Sequence, residues 1–418
     1  MVRHNKCSFQ FMQSVYSQIV CKIITNNHFL LKGKKIALVS NTAWNHWNYR
    51  RALIHLLIEH NAEVILIAPD DDSTKQLKTE FPQVSFVPLR QLSRKSLSLL
   101  SNFRTFWELY SVLKNLRPDA ILCYTIKPNI FGNVSAGWLR IPSIGIVEGL
   151  GYAGTAPLLI RWVIFRLYKY ASKKVFRLIF QNHHDRAEFI KSNAVDPKKT
   201  MVITGNGVDT TFFQPSPPPL NSSPIFIFVG RLLSEKGIRE FVSAGKMVKK
   251  VLPNARFQVL GSPDAGNPAS ILPVELEEWI VKGEVEYLGQ TDDVRPYICN
   301  ADVMTLPSYY REGLPCSLLE GMAMGKPIIT TDSVGCRDTV EHGKNGYIIP
   351  IADIKALKDA MLQFAALPVE KQISMGTYSR KKVLREFCKE VILPHYLEQI
   401  QMCLQNDTFA GEETGGGI

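Results

Sequence analysis

At 418 residues the chain is too long for one ordinary core and fits two domains of about 200 residues each. A hydrophobic share of 45% and a charged share of 21% suit a globular α/β protein. Eight cysteines with no Cys-x-x-Cys pair exclude a zinc ribbon or a disulfide framework and fit a reducing cytosol. The net charge of +11 is uneven: residues 1–216 hold 28 Lys and Arg against 13 Asp and Glu, a balance of +15, and the rest of the chain balances at −4. A basic half beside a near-neutral one suits a polyanionic partner for the first half.

Residues 1–33 are moderately apolar but are interrupted by Gln13, Gln18, Lys22, Asn26 and Asn27, so they read as an extension and not as a membrane span or signal peptide. From Lys35 a strand–helix rhythm begins, with strands over 36–39, 64–67, 84–87, 120–124, 142–147 and 175–181 and helices near 49–60, 96–116 and 129–138. That alternation predicts a doubly wound parallel sheet. No Gly-x-Gly-x-x-Gly follows the first strand, so a dinucleotide site lacks its signature. Residues 40–48 read as a loop whose Trp44 and Trp47 pack inward, with an acceptor-facing role as the alternative. Asp70, Asp71 and Asp72 read as solvated surface, and His183-His184 as a turn element where a strand meets a helix. Residues 157–174 form a helix of large apolar and repeated basic residues. Arg166, Lys169 and Lys173 share one face of it, with Trp162, Phe165 and Tyr168 expected beside them at the headgroup depth of an anionic membrane.

Asn206-Gly207-Val208-Asp209 and a proline-rich run over 214–219 mark a domain boundary. A second set of strands follows at 225–229, 256–260, 285–288, 303–306, 328–331 and 347–349. Arg231 and Lys236 leave the carboxyl end of the first of these, where open α/β sheets bind ligands, and their cationic groups suit a diphosphate clamp. After the strand at 303–306 comes a turn with Glu312 and Gly313, then Pro315, placed in the first turn of a helix whose free N–H groups favour a phosphate. Glu312 and, eight residues on, Glu320 offer carboxylates that accept hydrogen bonds from sugar and ribose hydroxyls. Helices near 354–367, 371–386 and 391–404 and a Gly-rich tail close the chain.

Three features together resemble the retaining family-4 glycosyltransferases of the GT-B fold: Gly230-Arg231 with Lys236-Gly237, Glu312 with Glu320, and the turn at Asn206. The resemblance runs from about Lys34 to Gln401. The stretches Tyr124 to Gly132 and Glu148 to Tyr152 are similar to bacterial transferases that add an N-acetylhexosamine or related sugar to a polyprenyl-diphosphate-linked saccharide. The resemblance implies two Rossmann-like parallel-sheet domains: an acceptor domain over 34–214, a linker over 215–220 and a nucleotide-sugar domain over 221–386. A helix over 387–404 is then expected to cross back to the first domain, ahead of a disordered tail over 405–418. It implies Arg231, Lys236 and Glu312 as the catalytic set, with no metal and no cofactor. Glu320, Gly313, Leu314, Pro315, Cys316, Gln290, Asn206, Lys127 and Thr125 are the expected substrate contacts. Lys127 also reads as a solvated loop lysine. The first loop lacks the double glycine of many family members, as the narrower subgroup does. Implied partners are a UDP-sugar, a polyprenyl-diphosphate-linked acceptor and an anionic membrane at the inner face of the plasma membrane, for a cytoplasmic protein in capsule, O-antigen or other surface-glycan synthesis. The rival readings are a GT-B sugar-nucleotide epimerase and a basic nucleic-acid-binding protein, the latter without an aromatic–basic recognition motif.

Overall fold

The structure, a computed structural model, describes residues 31–93, 98–151, 154, 157–215 and 223–406. The expected extension up to residue 30, the linker residues 216–220 and the tail beyond 406 lie outside the described residues. Described residues up to 145, with 170–178 and those from 393 onward, form one compact unit; residues 146–169 and 179–392 form the other.

One sheet holds β1 (Lys35–Val39), β2 (Glu63–Ala68), β3 (Ser85–Pro88), β4 (Ala120–Tyr124), β5 (Ser143–Val147), β6 (Arg177–Phe180) and β7 (Thr200–Val202) in the order β3-β2-β1-β4-β5-β6-β7. The other holds β8 (Ile225–Val229), β9 (Arg256–Leu260), β10 (Glu286–Tyr287), β11 (Val303–Leu306), β12 (Ile328–Thr331) and β13 (Gly346–Ile349) in the order β10-β9-β8-β11-β12-β13, every pair parallel. Strands buried on both faces read as unbroken apolar runs. All five residues of β8, Ile-Phe-Ile-Phe-Val, are buried, as are all five of β4. Phe226, Phe228, Phe241 and Phe257 anchor the core around β8. In both sheets the strand order reverses beside the first strand, between β1 and β4 and between β8 and β11. Loops on the two sides of such a reversal splay apart and leave a crevice at the carboxyl ends of the strands.

Three local expectations change. Residues 40–48 are mostly helical: Thr42 Oγ accepts from Asn45 N–H (3.1 Å), caps the helix Ala43–Tyr49, and leaves Trp44 41% exposed instead of packed inside. Asp71 is more than solvated surface, since its carboxylate accepts from the N–H groups of Trp44 (3.0 Å) and Ser73 (3.0 Å). In the helix Leu158–Ser172, Phe165 and Tyr168 are buried with their ring centres 5.0 and 4.9 Å from that of Phe189. They are therefore unavailable to a membrane. Trp162 is exposed, with the Arg166 guanidinium over its ring.

Candidate active site

The loop after β8 and the loop after β11 face the same crevice and are stitched together by main-chain atoms. Tyr309 and Tyr310 both donate their N–H to the Glu235 carbonyl, at 2.9 and 2.8 Å. The short 3-10 turn Ser234–Lys236 ends at Gly237, whose φ of +78° favours glycine. A Cβ there would also run into the Pro307 carbonyl, so only glycine lets the two loops lie this close.

That stitching brings Lys236 to Glu312. The ammonium donates to Glu312 Oε1 at 2.6 Å, with the two side chains 12% and 11% exposed, and the Ser308 hydroxyl donates to the same oxygen at 3.1 Å. Arg231 and Lys236 meet at Tyr310: the Arg231 guanidinium donates to Asp264, in the loop after β9, at 2.9 Å and also reaches the Tyr310 phenol, while the Lys236 ammonium stands over the Tyr310 ring. Burial raises the Tyr310 phenol above its ordinary value, against the lowering effect of Arg231. Glu320 lies in the helix Cys316–Ala323, partly buried, and burial pushes its carboxyl up to about 7.

Pro315 is the N-cap of that helix, one residue outside its expected place in the first turn, and no side chain caps the helix. Leu314 is buried beside Gly205, so its side chain belongs to the core; Cys316, at the first helical position, is partly exposed. Gly313 donates its N–H to the Glu148 carbonyl (2.8 Å), and a Cβ there would meet the Gln181 amide oxygen. Gln181 in turn donates to Asn206 Oδ1 at 2.7 Å. Gln290 accepts from the Ser262 hydroxyl at 2.8 Å, at the carboxyl ends of β9 and β10.

In the first unit, Thr125 and Lys127 follow β4 beside its reversal with β1. Thr125 sits at φ +68°, a strained conformation for a β-branched residue, and strain of that kind clusters at functional sites. The Lys127 ammonium donates to the Ser93 carbonyl at 2.7 Å, and burial lowers its pKa.

Two sets of residues were not legible as site residues. Asp264 holds Arg231, and Asp185 with Glu188 holds Arg311, the neighbour of Glu312. Among the described residues, His184, Asp185 and Glu188 stand close enough to share an ion. Arg311 already meets all three, at 3.0 Å to His184 Nδ1, 2.7 Å to Asp185 and 2.6 Å to Glu188. The Arg311 carbonyl also accepts from Gly151 N–H (3.0 Å), so the stretch from Glu148 to Gly151 is seated on the Glu312 turn.

Two doubly wound parallel sheets, each reversing its strand order beside its first strand, give the architecture of the GT-B class. Sequence profiles agree: residues 47–212 match Glycosyltransferase Family 4, and residues 223–366 match Glycosyl transferases group 1. The chain belongs to the family-4 glycosyltransferases. It is 28% identical over 390 residues to the Campylobacter jejuni N,N'-diacetylbacillosaminyl-diphospho-undecaprenol alpha-1,3-N-acetylgalactosaminyltransferase, covering 89% of this chain and 100% of that one. It is 26% identical over 325 residues to the Escherichia coli UDP-Gal:alpha-D-GlcNAc-diphosphoundecaprenol alpha-1,3-galactosyltransferase, covering 74% and 81%. The fold is shared with Anabaena HepE, crystallised with UDP and glucose, at a TM-score of 0.73 and 17% identity, over 88% of this chain and 99% of that one.

Proposed function

We propose that this glycosyltransferase moves an N-acetylhexosamine or related hexose from a UDP-sugar to a saccharide carried on a polyprenyl diphosphate, with retention of configuration, in surface-polysaccharide synthesis. The observation that carries the reading is the Lys236–Glu312 pair at the β8/β11 reversal, with Arg231 and Glu320 on the same two loop–helix turns. A donor diphosphate competes with Glu312 for Lys236. Once the ammonium turns to phosphate, the Glu312 carboxylate is released to accept from donor-sugar hydroxyls, while Glu320 takes the ribose. In the reaction the bond from the sugar C1 to the β-phosphate oxygen breaks, and the acceptor oxygen bonds to C1 on the same face. The acceptor's hydroxyl proton passes to the departing phosphate. Arg231, Lys236 and the N–H groups after Pro315 stabilise the charge that builds on UDP, without a metal.

The Campylobacter jejuni and Escherichia coli enzymes are each named for a lipid-diphosphate acceptor and an alpha product. An alpha product is the outcome of retention from an alpha-linked donor. No helix of the described residues is long and apolar enough to cross a membrane. In this reading the chain meets its lipid-borne acceptor as a peripheral protein at the inner, cytoplasmic face of the plasma membrane.

The test is UDP release from a panel of UDP-sugars, with and without polyprenyl-diphosphate-linked saccharides, and NMR of the product anomer. Acceptor-dependent release that survives EDTA, with an alpha product from an alpha donor, is expected. Release that ignores the acceptor throughout the panel, inversion at C1, or strict metal dependence contradicts the reading.

A further inference from the structure

Tyr310 stands where the loops after β8 and β11 meet, two residues before Glu312. Its own place is fixed by the main chain. Its N–H donates to the Glu235 carbonyl at 2.8 Å and to the Ser308 hydroxyl oxygen at 3.2 Å, and its carbonyl accepts from Glu312 N–H at 2.9 Å. The Lys236 ammonium lies 5.8 Å from the centre of the phenol ring, within reach of a cation–π attraction. At the far end of the ring the hydroxyl is a hydrogen-bond partner of the Arg231 guanidinium. A guanidinium can only donate, so the phenol oxygen accepts. Burial raises the phenol above its ordinary value, which keeps it neutral at physiological pH.

Neutrality sets this residue apart from the other partners of the two cations. Asp264 accepts from Arg231 at 2.9 Å and Glu312 from Lys236 at 2.6 Å, and both are carboxylates. A diphosphate that takes the two cations repels both carboxylates and displaces them. The ring face and the phenol oxygen carry no charge to be repelled, so their contacts survive the exchange. One rigid ring then sets the spacing of two long, rotamer-rich side chains.

Gly151 completes the arrangement within the same unit. Its φ is +47°, and a Cβ on it would come within 2.6 Å of the Tyr310 phenol oxygen. A side chain at 151 would therefore push the hydroxyl off Arg231. That gives a physical reason for a glycine in the stretch that starts at Glu148, whose main chain is seated on the Glu312 turn.

We infer that Tyr310 is a positioning residue whose phenol oxygen and ring hold Arg231 and Lys236 in register for the departing diphosphate, with Gly151 keeping open the space the hydroxyl fills. The inference deepens the proposed function and rests on it for the leaving group, UDP. Cations in register matter most where charge builds, so their loss belongs in kcat and in the affinity for UDP more than in the KM for the UDP-sugar.

Turnover, and UDP affinity by calorimetry, are measured for the parent, Tyr310→Phe, Arg231→Met and the two together. Tyr310→Phe keeps the ring beside Lys236 and removes only the oxygen. Its kcat and UDP affinity should each fall about tenfold, with KM for the UDP-sugar within about twofold of the parent. In the Arg231→Met background the same change should lower either quantity less than about twofold, because the phenol then has no guanidinium to hold. Gly151→Ala should lower kcat about tenfold in the parent and add little to Tyr310→Phe, where the oxygen it strikes is gone. The backbone strain of alanine at positive φ is common to both backgrounds and cancels in the comparison.

A ring that only filled space would show the same loss with and without Arg231, so equal losses overturn the inference. So do parent-like kcat and UDP affinity in Tyr310→Phe, a loss confined to KM, or a Gly151→Ala defect that Tyr310→Phe does not relieve. If no UDP-sugar is turned over while UDP affinity follows the expected pattern, the transferase reading fails and the placement of the two cations by Tyr310 stands.

Discussion

Removing the Lys236 ammonium tests both the architecture of the site and the exchange that opens it. The pair is held at 2.6 Å with both side chains nearly enclosed, and the Ser308 hydroxyl also donates to Glu312. The attraction between such charges, about 4 kcal/mol at 4 Å near a protein surface, is largely offset by desolvation, so the intact pair adds little net stability. Breaking it is another matter, because Lys236→Met leaves a buried carboxylate without its cation. We expect a loss of roughly 3 kcal/mol, a fall of about 6–12 °C in the melting step of this unit at 2–4 °C per kcal/mol. Adding Glu312→Gln to Lys236→Met should restore most of it, a coupling of about 2 kcal/mol or more. Turnover should fall about a hundredfold in Lys236→Met and stay low in the double variant, since the phosphate has lost a donor in both. Thermal unfolding of the four proteins, with UDP release on each, supplies the full cycle. Stability effects that add to within about 0.5 kcal/mol would falsify the coupled pair and with it the exchange at Lys236.

Glu312→Gln alone frees Lys236 while removing a carboxylate from the donor sugar. Turnover should fall about a hundredfold, with UDP affinity by calorimetry unchanged or slightly tighter; a collapse of UDP affinity would move Glu312 to the nucleotide. Burial raises the Glu320 carboxyl to about 7 from an ordinary 4.5, so the folded state holds this proton more tightly than the unfolded chain. Its contribution to stability is therefore full below about 4.5 and lost as pH rises through about 7, whereas its use as a ribose acceptor needs the ionised form. UDP affinity should rise with pH through neutrality in the parent and be flat in Glu320→Gln; parallel pH profiles would remove Glu320 from the ribose. Arg311→Met leaves the fully buried Asp185 without its cation and should lower the melting step, and Asp185→Asn in the same chain should recover part of the loss. If the double variant melts lower than Arg311→Met alone, the guanidinium is not there to compensate Asp185.

The strands and loops that carry the site were legible because the physics that forms them is local. β8 and β11 are apolar runs buried on both faces, and Gly230, Gly237 and Pro315 punctuate the loops at their carboxyl ends. The partners of the site's cations were not legible. Arg231 finds Asp264 and Arg311 finds Asp185 across 33 and 126 residues of sequence, through loop packing that no periodicity records. Phe165 and Tyr168 are a different case, since the signal was present. Trp162, Arg166, Lys169 and Lys173 share one helical face by their three- and four-residue spacing, and Phe165 and Tyr168 fall off it, toward the side the structure buries. The helix Ala43–Tyr49 lacked a sequence period because its start is fixed by hydrogen bonds that Thr42 and Asp71, nearly thirty residues on, accept from its first N–H groups.

The Glu312 turn is held on both sides by peptide groups: the Glu235 carbonyl accepts from Tyr309 and Tyr310, the Glu148 carbonyl from Gly313, and the Arg311 carbonyl from Gly151 N–H. Carbonyls and amides are the same whatever side chain they carry. Substitutions at Glu235, Glu148 or Tyr309 can therefore change the side chains around the Glu312 turn while the bonds that place the turn stay the same. A scaffold written in the main chain lets its side chains drift one at a time, with little risk of displacing the Glu312 carboxylate along the way. For redesign, the productive library varies these side chains and leaves Gly237 and Gly313 fixed, because a Cβ at either would push the loops apart.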